Sequence, residues 1–233
     1  MAHVGWAKLQ KKVAPMKLGL VGGTGREGTG LSVRWAKAGH AVAVGSRDAA
    51  RAAEKARELS DAAGVTIRGG DNRSVIEDAD VVVLCVPYGA HTETLRELKA
   101  DLAGKLVIDI TVPLAPPKVR EVHLPQGTSA AQEAAEILGP DVKLVATLHH
   151  VSSSHLGDHS HQFACDVLVC GDDLASKDTT IKLVSELGLR AFDAGPLCNA
   201  VALESLTPVL LYLNKRYHSD GAGIRVIGLP GHS

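Results

Sequence analysis

Three glycines, Gly23, Gly25 and Gly28, follow the short apolar run Lys17–Val21 at the spacing G-x-G-x-x-G. After a strand, that spacing suits a dinucleotide. Gly25 lets the backbone approach a pyrophosphate, and the helix that opens there offers its unpaired N–H groups to it. The next expected strand, 41–44, runs into Gly45-Ser46-Arg47. An NAD site usually carries a carboxylate at this point to hold the ribose 2′-hydroxyl. A hydroxyl and a guanidinium, Ser46 and Arg47, suit a 2′-phosphate instead. One charge-assisted, bidentate Arg–phosphate contact can set a preference for NADP(H) over NAD(H).

A second group of reactive side chains lies at 149–161. His149, His150, His155, His159 and His161 stand there with Asp158 as the only carboxylate. Such density could hold a divalent metal, but the group contains no Cys or Glu and has no helical spacing. No metal is assigned, and the stretch is expected to form a mobile, polar lid over a cleft. Asp172 and Asp173 read as turn residues, and Glu204 and Ser205 as caps of the last long helix.

Alternating strands and helices must position these groups. Expected strands cover 17–21, 41–44, 65–68, 81–86, 106–110 and 143–148. Helices are expected near 28–38, 48–63, 74–79, 91–102 and 129–138. The continuous apolar run 81–86 reads as a central parallel strand covered on both faces. Pro87-Tyr88-Gly89 follows it, at the end of the strand where ligands bind in such sheets. Beyond residue 150 the pattern changes. A loop is expected over 151–162, strands at 166–170 and 190–193, and helices at 176–187 and 203–217, the last with Pro208 in an early turn. The fold class is α/β: a Rossmann-like doubly wound parallel sheet over 16–150, and a small C-terminal α/β domain over 151–233 that closes the cleft. Residues 1–15 read as a frayed N-terminal extension.

The chain has 233 residues, with 25 Lys and Arg against 26 Asp and Glu. This balance asks for neither nucleic acid nor an anionic membrane. Aromatic residues make up 3%, so Val, Leu, Ile and Ala must build the core. Cys85, Cys165, Cys170 and Cys198 are scattered. They are expected to be reduced and mostly buried, in a cytoplasmic protein. No apolar stretch of about 18 residues is evident, and no membrane-crossing helix is expected.

Several separated strings give the sequence a resemblance: Gly22-Gly23-Thr24-Gly25, Gly45-Ser46-Arg47, Cys170-Gly171-Asp172-Asp173, Asp193-Ala194-Gly195-Pro196-Leu197 and Glu204-Ser205-Leu206-Thr207-Pro208. In this order, over about residues 16–215, the chain resembles the NADPH-dependent reductases of the deazaflavin coenzyme F420. The resemblance implies an NADP-dependent oxidoreductase, working as a homodimer, that moves a hydride between NADP(H) and coenzyme F420. It places Thr24, Arg26 and Glu27 around the pyrophosphate, and Ser46, Arg47 and Arg51 at the 2′-phosphate. Val86 and Pro87 would border the ribose and nicotinamide. His149 would face the deazaflavin as the catalytic residue, with Val151 and Leu206 also contacting that substrate. Serines follow Val151 where the family has proline and alanine, and Tyr88 stands for a family tryptophan. Other readings therefore stay open: reduction of a flavin, or of a metal ion through a flavin, or a non-catalytic NADPH sensor. His149 itself either hydrogen-bonds a ring carbonyl or caps a strand end structurally.

Overall fold

The computed structural model describes residues 14–229. The expected N-terminal extension lies outside these residues up to residue 13, as do residues 230–233. Strand β1 (Lys17–Val21) leads into helix α1 (Arg26–Ala38). Then follow β2 (Ala41–Ser46), α2 (Ala49–Ala63), β3 (Ile67–Asp71), α3 (Asn72–Glu77), β4 (Val81–Leu84), α4 (Tyr88–Leu102) and β5 (Leu106–Asp109). The second half runs α5 (Ala130–Leu138), β6 (Lys143–Thr147), α6 (Ser153–Gly157), β7 (Asp166–Gly171), α7 (Leu174–Glu186), β8 (Arg190–Asp193) and α8 (Ala200–Tyr217). The strands form one eight-stranded sheet in the order β3-β2-β1-β4-β5-β6-β7-β8. All neighbours are parallel except β6 and β7. The stretch after residue 150 thus adds β7 and β8 to the edge of the same sheet.

Apolar helix faces cover both sides of this sheet, as a parallel sheet requires. One side packs Leu31 and Trp35 of α1 and Leu183 of α7 against Leu18, Leu20 and Val83. The fully buried Trp35 satisfies its indole by donating to the Leu183 carbonyl at 2.9 Å. The other side packs Leu95 and Leu98 of α4, Ala134 of α5 and Leu203 of α8 against Val82, Leu84 and Val107.

Local chemistry moved several boundaries. β3 starts at Ile67, two residues later than expected. Val65 still bonds the Ser60 carbonyl at the end of α2, where Gly64 adopts φ +66°. α3 starts at Asn72 because the Asp71 carboxylate accepts from the N–H groups of Arg73 and Ser74. Likewise Asp173 caps α7 by accepting from Ser176 N, which starts that helix at Leu174. The expected loop 151–162 contains the short helix α6. It is held against α1, where Arg34 donates to the carbonyls of Leu156, His155 and Asp158. The expected lid is therefore, in this structure, a segment clamped to α1.

Helix α8 begins three residues earlier than expected, so Pro208 lies in its interior. Glu204 lies inside the helix and is buried, rather than capping it. The segment Leu197–Tyr217 is long and apolar enough, by length and composition alone, to cross a membrane. The expectation that no such stretch exists is corrected on that point. About a third of it is buried, including Leu203, Glu204, Pro208 and Leu210. The four cysteines are free. Cys170 is buried, Cys85 and Cys165 are half-buried, and Cys198 is exposed, so "mostly buried" holds less widely than expected.

Candidate functional site

The strand order reverses between β1 and β4, and a crevice opens there at the carboxyl ends of the strands. A cleft of about 840 Å³ fills it. The loop after β1 contributes Thr24, Gly25, Arg26 and Glu27 to its wall, and the end of β2 with the start of α2 contributes Ser46, Arg47 and Arg51. Val86 and Pro87 line it from the end of β4. Gly23 serves packing instead. A Cβ there would sit 2.8 Å from the Leu20 carbonyl oxygen, and one on Gly28 would sit 2.6 Å from the Gly23 backbone. Gly25 differs, because its nearest neighbour to a Cβ is the Gly22 oxygen at 3.8 Å. Nothing in the fold needs glycine at residue 25 for space, so its openness is available to a bound group. Gly25 is also the N-cap of α1 and makes no side-chain cap bond, which leaves the first N–H groups of α1 free for an anion.

At α2 the arrangement is reversed. Asp48, two residues beyond β2, spends its carboxylate on the N–H of Arg51 at 3.1 Å. The first acid after Ser46 and Arg47 in the chain is thus occupied as a helix cap, while Ser46 is half-buried and Arg47 and Arg51 are exposed. Together with the glycine loop, these groups fit the pyrophosphate and 2′-phosphate of NADP.

His149, just beyond β6, lies at the other end of the same cleft, with Leu148, Val151 and Leu156 beside it. It is 5% exposed, and neither ring nitrogen has a hydrogen-bond partner. Burial pushes its pKa down to about 3, aided by His150 and opposed by Asp109. The ring is therefore a neutral imidazole, whose one N–H donor and one acceptor are buried without a protein partner. Each such buried polar atom costs about 1–3 kcal/mol while unpaired. The backbone before it is strained: Leu148 adopts φ +63°, at about 1–2 kcal/mol for a residue with a Cβ. Leu206 is half-buried on α8 and is not among the residues lining the cleft; its neighbour Thr207 donates to the His149 carbonyl at 2.7 Å.

Sequence reasoning missed a polar network behind this end. His91 of α4 and Asp109 of β5, both fully buried, pair at 2.8 Å. The second Asp109 oxygen accepts from Thr111 N at 2.9 Å. Burial opposes both charges, yet each supports the other: His91 is held above its ordinary value and Asp109 below. Glu204 of α8 accepts from the N–H groups of Ala130 and Ala131 at 2.7 and 3.0 Å, so it caps α5 rather than its own helix. Burial, with Asp109 nearby, pushes Glu204 up to about 8 against those two donors. Tyr88 lines the cleft and donates to Glu133 at 2.9 Å. Burial and that bond lift its hydroxyl to about 12. The available signal was a carboxylate ending the apolar strand β5.

Among the described residues, no group of three or more His, Cys, Asp or Glu is arranged to hold a metal ion. The histidines separate instead. His149 and His150 are buried, and the rings of His155 and His161 stack at 3.8 Å.

A doubly wound sheet, a glycine loop at its switch point and a guanidinium-rich second strand end define a nucleotide-dependent oxidoreductase fold. Known proteins agree. Residues 17–113 match the family described as NADP oxidoreductase coenzyme F420-dependent. An F420-dependent NADP reductase of Methanothermobacter thermautotrophicus is 36% identical over 227 residues, covering 94% of this chain and 98% of that one. Its counterpart in Methanocaldococcus jannaschii is 37% identical over 223 residues, covering 92% and 99%. A crystal structure described as an F420-dependent NADP-reductase from Arthrobacter sp. FB24 superposes with a TM-score of 0.78 at 24% identity. It covers 91% of this chain and all of that one, which shows a shared fold. The chain belongs to the family of F420-dependent NADP reductases.

Proposed function

We propose that the protein is an NADP-dependent oxidoreductase that transfers a hydride between NADP(H) and the deazaflavin coenzyme F420. The observation that carries this reading is one continuous cleft, with Ser46, Arg47 and Arg51 at one end and the unpartnered imidazole of His149 at the other. The nicotinamide and the deazaflavin carry the electronic work, so the protein must hold two rings in contact and keep water out. The free N–H groups of α1 and the side chains of Thr24 and Arg26 hold the pyrophosphate. Ser46, Arg47 and Arg51 hold the 2′-phosphate, and Val86 and Pro87 border the ribose and nicotinamide. His149 offers a neutral hydrogen bond to the polar edge of the second ring, against Val151. Its low pKa suits a hydrogen-bonding partner rather than a proton donor.

The segment after residue 150 closes one wall of the cleft through Val151 and Leu156. We read the molecule as a cytoplasmic homodimer. Val209 and Tyr212 are 45% and 56% exposed on α8, an apolar face that a second copy would cover, and the four cysteines are free.

Mixing the protein with NADPH and oxidised coenzyme F420, with FMN and FAD in parallel, tests the activity through the deazaflavin absorbance. Fast loss of that band supports the reading. Tight NADPH binding with turnover only on a flavin, or on no ring acceptor, overturns it.

A further inference from the structure

Thr207 departs from a habit that several other helical hydroxyls share. Ser60, Thr179, Thr180 and Ser185 all donate to the carbonyl four residues back in their own helices, the usual outlet for such groups. Thr207 instead donates across the structure to the carbonyl of His149 at 2.7 Å. The next residue is Pro208, inside α8. A proline there has no N–H for the Glu204 carbonyl, which so lacks its usual helical partner.

The recipient backbone needs a donor. Leu148 at φ +63° turns the chain out of β6, and Val151 N closes the turn on the Leu148 carbonyl at 3.1 Å. The His149 carbonyl in between is held by Thr207. The His149 side chain has no protein hydrogen bond of its own, so its backbone is where the fold can set its direction by hydrogen bonding.

Resting on the reading of His149 as a contact for the second ring, we propose that Thr207 is a positioning residue for hydride transfer. Its hydroxyl fixes the His149 backbone and so aims the neutral imidazole into the cleft. The role belongs to the hydroxyl and not to the bulk of the side chain.

A double-mutant cycle tests this, with kcat for F420 reduction and KM for NADPH as readouts and a thermal transition recorded for every variant. Thr207→Val keeps the shape and deletes the donor. Loss of one hydrogen bond that holds the geometry predicts a fall in kcat of about five- to tenfold. KM for NADPH should stay within about twofold, because Thr207 lies off the nucleotide end. Thr207→Ser should restore kcat. In a His149→Asn background, Thr207→Val should change kcat by less than about twofold, since the two act as one unit. An equal fall in both backgrounds, or no rescue by serine, overturns the proposal. If His149→Asn alone leaves kcat unchanged, the reading of His149 fails instead, and the positioning role falls with it. Should the asparagine variant lack a cooperative transition, His149→Gln takes its place in the cycle.

Discussion

Replacing Arg47 with alanine tests the nucleotide end most directly. Arg47 follows β2 and lines the cleft with Ser46 and Arg51. Asp48 is held by the N-terminus of α2, so that helix end is already capped and gives the 2′-phosphate little help. Recognition then rests on side chains. A hydrogen bond between charged groups is worth about 1.5–3 kcal/mol, and the exposure of Arg47 favours the lower half of that range. At about 1.4 kcal/mol per tenfold, the variant should bind NADPH about 10- to 30-fold more weakly. NADH lacks the 2′-phosphate, and its affinity should change by less than about twofold. Titration calorimetry with both nucleotides at about 0.1 M salt reads the difference directly. Raising the salt should shrink the wild-type preference for NADPH, because the contact is only partly shielded from ions. An equal loss for NADPH and NADH would refute the assignment of Arg47 to the 2′-phosphate.

Three further outcomes are expected. Gly25→Ala should fold, since its Cβ meets nothing closer than 3.8 Å, with a thermal midpoint lowered only by the few degrees that a poorer N-cap costs, yet lose nucleotide binding; a variant that binds NADPH normally would remove the close approach to the pyrophosphate. Asp109→Asn leaves the buried His91 without its carboxylate and should cost about 3–5 kcal/mol in chemical denaturation, so a loss below about 1 kcal/mol would show that the pair contributes little. Glu204 is held up to about 8 in the folded protein against an ordinary 4.5; the folded state therefore keeps a proton that the unfolded chain releases. Stability should fall as pH rises through that window, and Glu204→Gln should flatten the fall. A thermal midpoint whose pH dependence is the same in both proteins would place the titration elsewhere.

The nucleotide half was legible in the sequence because its signals are local. Glycine spacing, a strand ending in Gly45-Ser46-Arg47 and the apolar run at β4 each depend on neighbours along the chain. Helix caps such as Ser129 before α5, which accepts from Gln132 N, were legible for the same reason. Local pattern misleads where tertiary partners override it. It points to Glu204 as a cap of its own helix and to 151–162 as a loop. The Glu204 carboxylate instead reaches the start of α5, more than seventy residues away in the chain, and Arg34 gathers three carbonyls of the α6 segment.

By itself, then, the sequence determined the alternation of strands and helices, the place of the glycine loop, and the hydroxyl and guanidinium that favour a 2′-phosphate. The tertiary structure alone decided the pairing of His91 with Asp109, the reach of Thr207 to His149, and the burial that keeps His149 neutral. The physical reason is range. A periodic pattern or a cap is written within a few residues and leaves a signature there. A buried hydrogen bond between α8 and the end of β6 exists only once the sheet has brought them together, and its cost or gain depends on water that the fold has already removed.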